Sequence, residues 1–392
     1  MLKQIAAVTS TNFKSLPARW GASLVVVIGI AGVVGVMVSI LAMANGFEQV
    51  FTKAGRADRV IVMRGGDDDG RSSSVSREQL PIILSAPGFA LGPDGKPLAS
   101  PIKFMTSALH DRKTGIEVNV VLRGVGDQAQ RVWPEIKVVE GRWFESGKRE
   151  FIAGRAAINQ FDGLALGKTV QLTNGPWTLV GIFEAPGTMY ESELWGDVEM
   201  VFAGYSITGQ FSSVTGLLAG SQKTLSDAIT TNPKLAHVVK SETEYYASQT
   251  GLLGKTMLAF AYIVGGIMAL GALFSAVNTM HAAVKARSIE IATLRAIGFG
   301  GTPIVLSVLL ESLLLCVLGA LVGSGASWLL FNGHQISTIG GNSFSQVAFA
   351  FEVSTGLVMQ GVIWACTIGL LGGLVPAIRA ARLPVAQALR GA

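Results

Sequence analysis

The chain has 392 residues, of which 49% are hydrophobic and only 15% are charged. A soluble chain carries about 25% charged residues, so this composition excludes a wholly soluble protein and indicates that a large part lies in lipid. The formal net charge of +5 is small and does not suggest a nucleic-acid partner. The length allows one soluble domain of about 200 residues beside the membrane part.

Cysteine and histidine usage limits the chemistry of the chain. The two cysteines, Cys316 and Cys366, lie inside long apolar runs, and residues 46–256 contain none. A soluble domain there must therefore be stabilised by its own hydrophobic core. The four histidines are far apart and lack metal-ligand spacing. Because no nucleophile, base and orienting group stand together in a recognisable pattern, we expect no catalytic, cofactor-binding or metal site.

Four apolar segments are long enough to cross a bilayer, which requires about 20 residues in a helix. They are residues 24–44, 257–280, 304–331 and 356–378, and the third contains one charged residue, Glu311. The expected fold is an α-helical membrane protein with four transmembrane helices. A mixed α/β extracytoplasmic domain is inserted between helices 1 and 2.

The distribution of basic residues predicts the orientation, because loops on the cytoplasmic side are enriched in lysine and arginine. Residues 1–23, 281–303 and 379–392 are predicted to be cytoplasmic, with residues 45–256 and a short loop at 332–355 outside. This places the following basic residues on one side: Lys3, Lys14, Arg19, Lys285, Arg287, Arg295, Arg379, Arg382 and Arg390. The protein is therefore expected in a bacterial cytoplasmic (inner) membrane with both termini inside.

A cleaved signal peptide is the alternative for the first apolar segment. Ala42-Met43-Ala44 resembles a signal-peptidase site. The apolar run at 24–44 has 21 residues, whereas the core of a signal peptide has about 7–15. The sequence therefore favours an uncleaved first span. Cleavage would leave three spans.

Small residues recur at four-residue spacing in the predicted spans, where close backbone approach drives helix association in lipid. The residues concerned in the third and fourth spans are Gly319, Gly323, Gly361, Ala365, Gly369 and Gly373. They either pack the spans of one chain or form a dimer seam. Glu311 is either a hydrogen-bonded packing element near the inner interface or part of a substrate or proton path.

Local patterns in the outside domain predict both strands and helices. Residues 65–74 are interpreted as a mobile, solvated loop containing Asp67, Asp68 and Asp69, in preference to a calcium site. Ser76 and Gln79 form a capping box. Further predicted elements are a strand at 59–63, hairpins pairing 103–110 with 116–123 and 169–172 with 177–183, and helices at 225–230 and 242–248, the last running on into the second span.

The loop after the second span contains a helical stretch, Arg287 to Gly298, with the sequence RSIEIATLRAIG. Ile291, Leu294 and Ile297 make a modest apolar stripe, which Glu290 interrupts. From the residues alone, a helix that binds a soluble partner and a plain helical loop on the membrane surface are equally favoured.

This stretch, followed by Glu311, Gly319 and Gly323, resembles the permease domain of a known family. Its members are the macrolide exporter MacB, the lipoprotein-releasing LolC and LolE, and the cell-division protein FtsX. The outside domain resembles the MacB-like periplasmic core. Further matching segments are Asn45-Gly46, Glu140–Phe144, Gly154–Ala157 and the tail from Pro376 through Pro384 to Arg390.

The resemblance implies a permease subunit that is not itself an enzyme. Such permeases pair with a second copy or a related permease and sit on a separate ABC ATPase, which binds ATP and Mg²⁺. Closure of the ATPase would push the coupling helix and move the outside domain through the first two helices, which is called mechanotransmission. The coupling helix would use Arg287, Glu290, Ile291, Leu294, Arg295 and Gly298.

MacB carries its ATPase fused at the N-terminus, whereas this sequence begins about 20 residues before its first span. We therefore expect the ATPase on another polypeptide. Membrane lipid and a periplasmic adaptor protein are further candidate partners.

Three functions remain open from the sequence. The leading one is ATP-driven export or extraction of a hydrophobic, peptide or lipoprotein substrate at the outer face. The second is an FtsX-like regulator that activates an extracytoplasmic partner without transport. The third is a membrane-anchored receptor or scaffold without an ATPase.

Overall fold

A computed structural model describes residues 20–67, 69–173, 175–205, 209–340 and 345–384. The chain divides into two compact units. One unit contains residues 1–45, 255–334 and 351–392, and the other contains residues 46–254 and 335–350. We call the first the helical unit and the second the α/β unit.

Ten α-helices occur in the described residues. They are α1 (Trp20–Thr52), α2 (Gln79–Leu84), α3 (Ala129–Val132), α4 (Arg155–Gln160), α5 (Val198–Tyr205), α6 (Gln222–Thr230), α7 (Glu242–Ala286), α8 (Ser288–Ala296), α9 (Gly301–Phe331) and α10 (Thr355–Ala381). Four of them, α1, α7, α9 and α10, are long and apolar enough to cross a membrane. The structure therefore confirms four candidate membrane helices.

The helical unit is held together by apolar side chains and by hydroxyl groups that bond backbone carbonyls. Val34, Cys316 and Ala365 are fully buried in its core. Ser327 on α9 donates to the carbonyl oxygen of Gly35 on α1 at 2.7 Å. Ser312 on α9 donates to the carbonyl oxygen of Gly369 on α10 at 2.9 Å. Such bonds satisfy polar groups that lipid cannot solvate.

The strands of the α/β unit are β1 (Arg59–Arg64), β2 (Val75–Ser76), β3 (Ala99–His110), β4 (Glu117–Val125), β5 (Lys137–Gly141), β6 (Glu150–Gly154), β7 (Thr169–Leu172), β8 (Gly175–Glu184), β9 (Leu194–Asp197), β10 (Gln210–Phe211), β11 (Ser213–Leu217), β12 (His237–Ser241), β13 (Gln335–Gly340) and β14 (Ser345–Ala350). Most of them form one sheet in the order β12-β1-β11-β3-β4-β9-β6-β8-β5, in which β7 pairs with β8, β14 pairs with β4 and β13 pairs with β14. A separate small sheet pairs β10 with β2.

Two hydrophobic cores cover this sheet, which explains how the unit folds without disulfides. One core packs Leu225 and Ile229 of α6 against Val60 on β1. The other surrounds Trp177 and Phe151 on the neighbouring strands. All five side chains are completely buried.

Several local expectations are confirmed. The Ser76 hydroxyl accepts from the amide of Gln79 at 3.2 Å, and the Gln79 side chain accepts from the amide of Ser76 at 3.1 Å, which is a reciprocal capping box. Strands β3 and β4 pair as expected, as do β7 and β8. Helix α7 runs from the predicted start into the second span.

Two expectations for segments outside the spans were wrong. Residues 332–355 are not a simple loop, since β13 and β14 form a hairpin that belongs to the α/β unit. The segment 65–74 is not fully solvated either. Asp69 is buried and accepts a hydrogen bond from the hydroxyl of Tyr245 at 2.9 Å. Asp68 lies outside the described residues.

Candidate functional site

The first candidate site is α8, the short helix between the second and third membrane helices. It begins at Ser288 and ends at Ala296, slightly shorter than the stretch singled out in the sequence. Gly298 has φ +99° and closes the helix. The amide of Phe299 donates to the carbonyl of Leu294 at 3.0 Å, and that of Gly298 to the carbonyl of Arg295 at 3.1 Å. This pattern is a Schellman motif, which favours glycine at that position.

Helix α8 is buried on one face and exposed on the other. Ile291 is buried and Leu294 is half-buried, whereas Glu290 is exposed. Ile289 is 47% exposed and Ile297 is 68% exposed. The apolar stripe expected from the sequence is therefore split, because Ile297 lies just past the end of the helix. The exposed face combines two isoleucines with one carboxylate.

A buried ion pair fixes the start of α8. Nη2 of Arg287 lies 2.8 Å and 2.9 Å from the two carboxylate oxygens of Glu311 on α9. Both side chains are at most 8% exposed. The sequence singled out both residues but did not pair them. Basic residues in the loop on the same side of the membrane were the signal for a partner of Glu311.

The end of α8 is attached to the chain that follows α10. Nη1 of Arg295 donates to the carbonyl oxygen of Leu383 at 2.8 Å. A Cβ placed on Gly301, at the start of α9, would lie 3.4 Å from the Cβ of Ala381 at the end of α10. Helix α8 is thus anchored at both ends within the helical unit.

The small residues of the spans contact neighbouring helices of the same chain. A Cβ on Gly319 or Gly323 of α9 would press on α1, at Val27 and Ala31. Gly361 of α10 also faces α1, and Gly369 and Gly373 face Ser312 or Cys316 on α9. Ala365 is fully buried. These are the contacts that the packing interpretation expects.

The second candidate site is a buried polar cluster in the α/β unit, at the start of α7. The carboxylate of Glu242 accepts from Nε of Arg59 at 2.5 Å and from the hydroxyl of Tyr190 at 2.9 Å. The backbone amide of Arg56 also donates to it at 3.1 Å. Both Arg59 and Glu242 are almost completely buried. We call this group of four residues the α7 anchor.

Burial dominates the electrostatics of the α7 anchor. It raises the pKa of Glu242, and the Arg59 guanidinium opposes that rise. Burial also raises the pKa of Tyr190, so its phenol stays protonated and donates. A carboxylate in the first turn of a helix is further stabilised by the helix dipole.

The end of α1 lies against the start of α7 in this same unit. Nη2 of Arg59 donates to the carbonyl of Ala54 at 3.0 Å. A Cβ on Gly55 would lie 3.1 Å from Cα of Thr243. The rings of Phe51 and Tyr246 meet edge to face, 6.3 Å apart. The α7 anchor therefore joins the ends of two membrane helices to the sheet.

Little in the sequence indicated the α7 anchor, because its members come from three distant segments. Its one local signal was Glu242, an acid that opens a predicted helix. Among the described residues, no group of three or more His, Cys, Asp or Glu side chains could hold a metal ion.

Comparison with known proteins identifies the family. A profile of the MacB-like periplasmic core domain matches residues 23–232, which is more than half of the chain, and a profile of the FtsX-like permease C-terminal domain matches residues 262–385. The chain belongs to the family of MacB- and FtsX-like ABC transporter permeases. The α/β unit is accordingly the extracytoplasmic domain, and the four long helices span the inner membrane.

Two relatives illustrate the range of this permease family. The chain is 26% identical to the macrolide export ATP-binding/permease protein MacB of Neisseria gonorrhoeae, over 98% of this chain and 60% of that protein. It is 23% identical to YknZ of Bacillus subtilis, an uncharacterized ABC transporter permease, over 94% of both chains. The permease thus spans about 60% of the length of the MacB protein it matches.

Two solved extracytoplasmic domains are also similar. The extracellular domain of YknZ matches with a TM-score of 0.36 and 17% identity, covering 46% of this chain and 99% of that one. The periplasmic region of MacB from Actinobacillus actinomycetemcomitans matches with a TM-score of 0.38 and 13% identity, covering 48% of this chain and 90% of that one.

Proposed function

We propose that this permease couples ATP hydrolysis on a separate ATPase subunit to movement of its extracytoplasmic domain. The movement serves export or extraction of a hydrophobic, peptide or lipoprotein substrate. The partner ATPase binds ATP and Mg²⁺, and the permease works as a pair with a second copy or a related permease.

The continuity of α7 is the observation that carries the proposal. This single helix has 45 residues, from Glu242 to Ala286, and at about 1.5 Å per residue it is a rod of roughly 68 Å. Its first turn is bonded to Arg59 and Tyr190 within the α/β unit. Its last residue directly precedes Arg287, which anchors α8. A displacement of α8 would therefore act on the lower end of a rod whose upper end is fixed in the domain.

The exposed face of α8 is suited to contact the ATPase. It offers the isoleucines Ile289 and Ile297 around the single carboxylate of Glu290, and apolar anchors beside a charge are typical of a protein interface. The opposite face is held by Ile291 and by the Arg287–Glu311 pair. A load on the exposed face would thus be transferred to the spans.

The charges in the spans favour a substrate that does not cross the membrane core. Across the four predicted spans, Glu311 is the one charged residue in the sequence, and it is paired with Arg287. A polar path through lipid would need further charged or polar groups to continue it. A substrate that the extracytoplasmic domain handles at the outer face of the membrane fits the scarcity of charged residues in the spans better.

Affinity purification tests the docking step. The tagged full-length chain is extracted in mild detergent, and mass spectrometry identifies the proteins that accompany it. The Glu290→Lys variant reverses the charge on the exposed face of α8. The Glu117→Lys variant makes the same change at an exposed position of the extracytoplasmic domain and is the matched control. We expect an ABC ATPase with the wild type and the control, and its loss from Glu290→Lys.

Two results would overturn this assignment. Equal recovery of the ATPase with Glu290→Lys would exclude the exposed face of α8 as the docking surface. Absence of an ATPase from every sample in several detergents would favour the scaffold function. A cell-wall hydrolase recovered with the extracytoplasmic domain would instead support an FtsX-like regulator.

A further inference from the structure

The hairpin β13–β14 connects the third and fourth membrane helices, yet residues 335–350 belong to the α/β unit. In this hairpin, Gln335 pairs with Ala350 at one end, and Gly340 pairs with Ser345 at the other. Its two ends continue directly into the segments that lead to α9 and α10. The chain thus enters the α/β unit a second time, after it has crossed the helical unit.

The hairpin is built into the sheet and its core. Ser345 on β14 bridges Asn119 on β4, in parallel, beyond the point where β9 pairs with that strand. Val347 and Phe349 are 4% and 2% exposed. The amide of Ala348 donates to the hydroxyl of Ser192 at 2.9 Å. Alternate side chains of β14 therefore face the protein interior, as in a strand that is part of the fold.

The hairpin also contacts the last turns of α1. A Cβ on Gly46 would overlap the carbonyl oxygen of Ala350, so no other residue fits there without displacing the hairpin. The rings of Phe47 and Phe349 meet edge to face at 5.6 Å and 83°. Helix α1, the sheet and the segment between α9 and α10 thus share one packed region.

We propose that this hairpin is a third mechanical attachment of the extracytoplasmic domain, which makes the domain follow α9 and α10 as well as α1 and α7. The inference rests on the proposed function for its purpose, because a domain moved by an ATPase must be coupled to the spans. The attachment itself does not depend on the presence of an ATPase. Interfaces packed in this way move between discrete arrangements rather than deform continuously.

Single-molecule FRET on the full-length protein tests the attachment. Dyes are placed by maleimide chemistry at Lys113→Cys on the domain and at His334→Cys just past the end of α9, with Cys316 and Cys366 replaced by alanine. Both labelled positions are exposed. The unaltered hairpin should give one narrow FRET distribution. Phe349→Ala removes the buried anchor of β14, and the narrow distribution should be lost.

A matched control and a rescue exclude a simple folding defect. Phe260→Ala removes the same side chain from a position that is 59% exposed, and it should leave the distribution narrow. In the Phe349→Ala protein, Ser192→Cys and Ala348→Cys are added and oxidised before labelling. The amide of Ala348 lies 2.9 Å from the hydroxyl of Ser192, so the two positions are neighbours, and a disulfide joins residues whose Cα atoms are about 4.4–6.8 Å apart. The disulfide should restore the narrow distribution, and dithiothreitol should abolish it again.

The outcomes separate this inference from the proposed function. A distribution unchanged by Phe349→Ala, or equally broad with and without the disulfide, would overturn the attachment whatever the ATPase does. Failure to recover an ATPase together with a disulfide-dependent narrowing would overturn the proposed function and leave the attachment standing.

Discussion

Two of the buried charge pairs in the described residues of this permease join distant segments of the chain. Nε and Nη2 of Arg123 lie 2.6 Å and 2.7 Å from the two carboxylate oxygens of Glu193. Both residues are at most 3% exposed, and Nε1 of Trp195 donates to the same carboxylate at 2.9 Å. The Arg287–Glu311 pair repeats this arrangement in the helical unit. Such pairs are weak sources of net stability but costly to break.

Removing one partner of the Arg123–Glu193 pair should strongly destabilise the extracytoplasmic domain. Glu193→Ala leaves the guanidinium of Arg123 buried without its carboxylate, and we expect a loss of about 3–5 kcal/mol in the free energy of unfolding. Denaturant titration of the full-length protein in detergent measures this, followed by tryptophan fluorescence, since Trp195 contacts the pair.

The double variant Arg123→Met, Glu193→Leu is the informative control. It removes both charges at similar volume, so most of the lost stability should return. If Glu193→Ala shifts the midpoint no more than the exposed Glu117→Ala does, the pair has no structural role.

At the scale of the helices, close backbone approach decides the packing of α9 against α1. A Cβ on Gly323 would overlap the carbonyl oxygen of Ala31, whereas a Cβ on Gly325 would meet nothing within 4 Å. The two glycines lie on the same helix and differ only in the face they occupy. They therefore form a matched pair for a substitution experiment.

We expect Gly323→Val to force α9 away from α1 and to lower the thermal midpoint of the purified protein, because overpacking a close contact typically costs about 1–3 kcal/mol. Gly325→Val should leave the midpoint within the error of the measurement. Thermal unfolding in detergent, followed by circular dichroism, distinguishes the two. Equal midpoints for both variants would contradict the packing described for Gly323.

Elements specified by local residue patterns could be predicted from the sequence. The capping box of Ser76 and Gln79, the β3–β4 and β7–β8 hairpins and the start of α7 at Glu242 all depend on neighbouring residues. Apolar length alone gave the four membrane helices. These features need no knowledge of distant contacts.

Features that depend on distant partners could not be predicted in the same way. The pairing of Glu311 with Arg287 spans 24 residues, and the α7 anchor spans 183 residues from Arg59 to Glu242. Residues 345–350, Ser-Gln-Val-Ala-Phe-Ala, do not alternate polar and apolar side chains, and a short strand gains its stability only from its neighbour on the sheet. Asp69 has the sequence context of a solvated acid, and its hydrogen bond with Tyr245 depends on a residue 176 positions away.

For the molecule as a whole, the cytoplasmic position of the termini and of α8 remains a prediction from the basic residues. Lys113 lies in the extracytoplasmic domain, and the prediction places α8 on the other side of the membrane. In a background lacking Cys316 and Cys366, a membrane-impermeant maleimide added to intact spheroplasts should label Lys113→Cys. Ala296→Cys should react only after the inner membrane is lysed. Labelling of Ala296→Cys in intact spheroplasts would place α8 outside and remove its ATPase-docking role.

The extracytoplasmic domain is discontinuous along the chain, and this has a consequence for biogenesis. When the ribosome has completed residue 254, the domain still lacks β13 and β14. Domains generally fold as units during synthesis, but here the end of β4 at Asn119, which Ser345 on β14 later bridges, stays without that partner until α7, α8 and α9 have been made. Open strand edges are prone to pair with other chains. A nascent permease stalled before residue 335 would therefore carry a defect outside the membrane that quality-control proteases can recognise, so correct insertion of α9 becomes a condition for finishing the domain.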